Sequence, residues 1–102
     1  MTDLQAERCI REFLDALLMG DLSSAAEVCK SGTVDAGEIA FPRRLQGYEV
    51  AGFRATRDGH ARVFEVKTRH ADGEEGRYEG TVEPRIVVTA ACYVAQFRKI
   101  EA

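Results

Sequence analysis

The apolar residues Ile10, Phe13, Leu14, Leu17 and Leu18 recur at i, i+3, i+4, i+7 and i+8, with Arg8, Arg11, Glu12 and Asp15 mostly on the opposite side. Such spacing describes a helix with one apolar stripe facing a core. Thr2 and Gln5 stand at capping-box spacing, so the helix is predicted to start at Asp3 and to run to about Met19. Gly20 suits the left-handed residue that closes a helix, and Asp21 suits the cap of the next. Leu22, Ala25, Ala26 and Cys29 then repeat at helical spacing as far as Ser31 and Gly32. The first thirty residues therefore predict a helical hairpin.

The period changes afterwards. Residues 33–47 are irregular, broken by Gly37, Pro42 and the pair Arg43 and Arg44, and predict a loop with at most a short strand near Ile39 to Phe41. Residues 48–57 and 61–70 flank Asp58, Gly59 and His60, and Asp-Gly between two β-rich runs is a hairpin signal because both residues tolerate positive φ. Asp72 and Gly73 open the next turn, which leads into residues 77–83 and completes a three-stranded meander. Residues 85–100 admit two readings. Ile86, Val87 and Val88 favour a strand, while the spacing of Tyr93, Phe97 and Ile100 also fits a helix. Sixteen extended residues would span roughly 50 Å, too long for a domain whose radius of gyration should be roughly 13 Å. A bent strand is preferred to a strand followed by a terminal helix. The fold class expected is α+β, N-terminal helices packed on an antiparallel sheet.

Composition narrows the setting. At 102 residues, the chain has room for one domain, residues 1–102, with one modest core. Hydrophobic residues at 45% and charged residues at 30% are those of a globular protein. No apolar run reaches membrane-helix length, and the charged first twenty residues do not read as a signal peptide, so no membrane partner and a cytoplasmic location are expected. A net charge of −3 argues against a nucleic-acid partner. Cys9, Cys29 and Cys92 lack C-x-x-C spacing and read as small buried thiols.

The run from Phe13 to Ala25, Phe-Leu-Asp-Ala-Leu-Leu-Met-Gly-Asp-Leu-Ser-Ser-Ala, together with Asp58-Gly59, the strand from Ala61 to Val66 and Asp72-Gly73, resembles the nuclear transport factor two-like superfamily, which includes ketosteroid isomerase-like and SnoaL-like proteins. The resemblance implies a cone-shaped, cystatin-like roll whose curved sheet wraps a pocket roofed by the first helices. Members use that pocket for catalysis, for small ligands or as an assembly scaffold, so the fold leaves the function open.

Candidate residues follow from strand parity and from chemistry. Side chains two apart share a sheet face, which places Phe64, Val66, Thr68 and His70 together, away from Glu65, Lys67 and Arg69. The expected ligand-binding set is Tyr48, Phe64, Val66, Tyr78 and Cys92, with His70 at the mouth, suited to a small apolar ligand. An isomerase, dehydratase or cyclase free of cofactors would need a pocket carboxylate or a proton carrier, for which Asp35, Glu38 and His70 are the weak candidates. Neither His60 nor His70 has a partner at metal-ligand spacing, so no metal is expected. The absence of G-x-x-x-x-G-K-[ST], G-x-G-x-x-G and G-x-S-x-G motifs removes the common nucleotide and hydrolase signals. With no complete catalytic set, the leading expectation is a non-enzymatic ligand-binding or assembly domain. A homodimer is expected through the sheet face carrying Val87, Ala91 and Tyr93.

Overall fold

The computed structural model describes residues 1–30, 45–85 and 92–100. It contains helices α1 (Asp3–Leu18) and α2 (Leu22–Glu27) and strands β1 (Leu45–Ala55), β2 (Arg62–His70), β3 (Glu75–Pro84) and β4 (Cys92–Lys99). The strands form one antiparallel sheet in the order β1-β2-β3-β4. Helix α1 packs on one of its faces and α2 packs against α1, giving the α+β class.

Helix α1 begins where its capping box predicts. The Gln5 amide donates to Thr2 Oγ1 at 3.1 Å, and the Thr2 amide donates to Gln5 Oε1 at 2.8 Å, satisfying donors that the first turn leaves unpaired. At its other end Gly20 has φ +75°, the Asp21 amide reaches Ala16 O at 2.8 Å and the Gly20 amide reaches Leu17 O at 3.1 Å. These paired bonds are the Schellman closure. Asp21 then caps α2 by accepting from the Ser24 amide at 3.1 Å.

Helix α2 ends at Glu27, earlier than the expected boundary at Ser31 and Gly32. The backbone after it finds a better partner than another helical turn: the Val94 amide donates to Val28 O at 2.7 Å and the Lys30 amide to Val94 O at 2.8 Å. Residues 28–30 thereby lie parallel along the free edge of β4.

Phe13, Leu14, Ile10, Ala6 and Leu17 of α1 bury against Phe64 and Val66 of β2, Val82 of β3 and Val94 of β4. Phe13 meets the edge of Phe97 at a centroid distance of 5.2 Å, and Tyr78 stacks on the same ring at 5.1 Å. The helix can lie this close because β3 carries Gly80 at the crossing, where a Cβ would stand 2.8 Å from Ile10 Cδ1. Three bulges reset the faces, the first at Gln46. One at Ala51 returns Phe53 to the helix side, where it stacks on Phe64 at 5.7 Å, and one at Ala95 buries both Val94 and Ala95.

The last segment is a strand over its described part: β4 spans Cys92–Lys99, with Cys92 directly opposite Pro84 at the end of β3. The terminal-helix alternative fails, because Cys92–Lys99 pairs along β3. Ile86, Val87, Val88 and Ala91, like the expected strand near Ile39 to Phe41, lie outside the described residues. No helix among the described residues is long and apolar enough to cross a membrane.

Candidate binding groove

The parity argument places Phe64, Val66, Thr68 and His70 on the helix side of β2, where all four are buried. Phe64 and Val66, at 1% and 0% exposure, are packed into the core against α1. Tyr78 is half-buried against Phe97, and burial raises its hydroxyl pKa above the ordinary value. Cys92 approaches the helix backbone, with Sγ 3.5 Å from Gln5 O. Asp35 and Glu38 lie outside the described residues.

Polar side chains cluster near one end of this interface. The Tyr48 hydroxyl donates to Asp15 Oδ1 at 2.6 Å; burial first, and the Asp15 carboxylate second, raise its pKa. Thr68 stands directly opposite Tyr48 in the β1–β2 register, and its hydroxyl lies 3.0 Å from His70 Nε2. His70 is 7% exposed, more enclosed than a rim position implies. His60 is exposed in the β1–β2 turn, its amide donating to Asp58 Oδ1 at 3.0 Å.

The open concavity lies mainly on the other face of the sheet. It is a groove of about 1250 Å³ lined by the basic side chains Lys67, Arg69, Arg77 and Lys99, the acidic side chains Glu49, Glu65 and Glu75, and the smaller Gly47, Ala51 and Gly76. Tyr48 and Thr68 border it from the edge, and the Ile100 amide, donating to Arg77 O at 2.8 Å, continues the pairing at its end. Of the expected ligand-binding set, Tyr48 alone lines this groove.

Its electrostatics follow from the register. Lys67 faces Arg77 across β2 and β3, and Glu65 faces Glu79, two like-charge pairs that would repel. Diagonal contacts relieve them. Arg77 Nε donates to Glu65 Oε1 at 3.0 Å, which holds the Glu65 carboxyl below its usual range, and Glu79 sits between Arg98 at 3.1 Å and Arg54 at 3.9 Å. Neither Lys67 nor Arg69 forms a salt bridge among the described residues. Arg69 leans over Gly47, where an added Cβ would stand 3.3 Å from Nη2, and Glu75 opposite it forms no salt bridge among the described residues. Among the described residues the groove thus presents three cations without a salt bridge, Lys67, Arg69 and Lys99, on a floor opened by glycine.

Near the far end of the same face stands Tyr93, opposite Glu83 and flanked by Lys30 and Arg85 at 5.6 and 5.5 Å from its ring centre. Among the described residues, no group of three His, Cys, Asp or Glu side chains converges in a way that could hold a metal ion. The groove left a partial trace in the sequence, since Glu65, Lys67 and Arg69 alternate with the apolar set on β2. The register that sets Gly47 beside Arg69 is a tertiary property. Comparison with protein families, curated proteins and solved structures finds no match for this chain.

Proposed function

We propose that this chain is a small non-enzymatic binding and assembly domain of the nuclear transport factor two-like kind, working through the sheet face turned away from its helices. The observation that carries this reading is the groove of about 1250 Å³ in which, among the described residues, Lys67 and Arg69 stand without salt-bridge partners. A ligand bearing a carboxylate or phosphate fits that lining better than the apolar ligand expected between helix and sheet, because Phe64 and Val66 are already packed against α1. Guanidinium and ammonium groups recognise such anions by charge-assisted hydrogen bonds. Assembly as a homodimer would use the Tyr93 end of the same face.

Calorimetric titration with small carboxylates and inorganic phosphate tests the binding half. Saturable binding that Arg69→Ala weakens by about tenfold or more supports it. Equal affinity of the wild type and of an Arg69→Ala, Lys67→Ala double variant, or no binding at all, refutes it.

A second reading has a specific observation behind it. The Asp15–Tyr48 and Thr68–His70 hydrogen-bonded pairs are brought side by side by the register, as a cofactor-free isomerase or dehydratase would require of a proton carrier and an oxygen stabiliser. In that case His70→Ala abolishes turnover while circular dichroism reports an intact fold. A loss of fold with the same substitution assigns His70 to packing.

A further inference from the structure

The three thiols are not equivalent. Cys29 is buried beside α2 and its Sγ donates to Ala25 O at 3.2 Å. Cys9 and Cys92, at opposite ends of the sequence, meet between α1 and β4. Cys92 Sγ lies 3.5 Å from Gln5 O, and Gln5 is four residues before Cys9, so its carbonyl also accepts the helical amide of Cys9. Helical side chains tilt toward the N-terminus, which carries the Cys9 sulfur over that same turn. Both thiols therefore lie against the same turn of α1.

We propose that Cys9 and Cys92 form a reversible intramolecular disulfide that fastens the N-terminal half of α1 to the start of β4. Cys92 is half-buried, whereas Cys9 is 4% exposed, so Cys92 meets the oxidant and Cys9 resolves the product. With a low-molecular-weight disulfide as oxidant, the Cys92 thiolate attacks one of its sulfurs, forming a mixed disulfide and expelling one thiolate. The Cys9 thiolate then attacks the Cys92 sulfur, closing the protein disulfide and expelling the second thiolate. The protein dithiol loses two electrons and two protons, and the oxidant becomes two free thiols.

Burial, then the neighbouring Cys92, then the Glu12 charge hold the Cys9 thiol well above its ordinary pKa, against a smaller opposing pull from Arg85. The resolving step is therefore slow near neutrality and rises about tenfold per pH unit as the thiolate fraction grows. A disulfide closing so long a loop stabilises the fold chiefly by restricting the unfolded chain.

The folded protein is incubated with oxidised glutathione and mapped by non-reducing proteolysis and mass spectrometry. The expected product is one linked peptide pair, Cys9 with Cys92, two hydrogens lighter than the reduced pair, accompanied by a higher melting temperature that reductant reverses. Cys29→Ser keeps the link, and Cys9→Ser stops at a glutathione adduct on Cys92. A wild-type protein that stays unmodified, whose Cys92 adduct fails to close even as rising pH enlarges the thiolate fraction, or that links Cys29 overturns the proposal without reliance on any variant's folding.

Discussion

Gly80 is the point at which α1 and the sheet approach most closely, and its missing side chain is what admits Ile10. An alanine there would place a Cβ 2.8 Å from Ile10 Cδ1, closer than real Cβ atoms come, and 3.1 Å from Phe97 Cδ2, tighter than most real contacts. Gly80→Ala is expected to cost roughly 1–3 kcal/mol in urea unfolding, as overpacking does, and Ile10→Val in the same chain should recover part of it. Leu14→Ala, at a wholly buried position, should cost roughly 2–5 kcal/mol; a loss under about 0.5 kcal/mol would contradict the packing of α1 described above. Titration adds a second check at this scale. Burial pushes the Cys29 thiol from its ordinary 9.0 up to about 11. The unfolded chain therefore ionises first, so this contribution is fully present below about pH 9 and is lost as pH rises toward 11. Tyr48 and Tyr78, also raised by burial, add losses of the same sign at higher pH. Unfolding at about pH 8 and about pH 11 should show a smaller alkaline loss in Cys29→Ala than in the wild type.

Among the elements, those with local signatures were legible before the structure. The capping box at Thr2 and Gln5, the Gly20 closure, the Asp21 cap and the turns at Gly59 and Gly73, whose φ angles are +73° and +85°, each depend on a few adjacent residues. Thr2→Ala should lower stability by roughly 0.5–2 kcal/mol, and circular dichroism should show the loss as fraying of α1. What depended on distant partners was not legible. Helix α2, only six residues long, stops where residues 28–30 are claimed by the edge of β4. The bulges at Ala51 and Ala95 insert one residue each and reverse face assignments beyond them, without a distinctive residue to mark them. The start of the described strand β4, at Cys92 opposite Pro84, is set by its register on β3, which no local residue marks.

For the whole molecule, the same parity that gathered Phe64 and Val66 beneath α1 also left Lys67 and Arg69 on the opposite face, and that opposition decides where a ligand could approach. A face bearing Tyr93 at one end and an open charged groove at the other suits a domain that binds or assembles. Sedimentation velocity from low to high micromolar concentration should show a dimer that Tyr93→Arg dissociates; a monomer throughout the range removes the assembly half of the proposal. The most direct measurement is amide-resolved NMR during titration with citrate and, separately, inorganic phosphate, because it reports which side of the sheet responds. The account predicts saturable shifts at Gly47, Glu49, Lys67, Arg69 and Arg77, with Phe13, Leu14 and Phe64 unmoved. Shifts concentrated at Phe64, Val66, Tyr78 and Cys92 would contradict it, placing the ligand between helix and sheet.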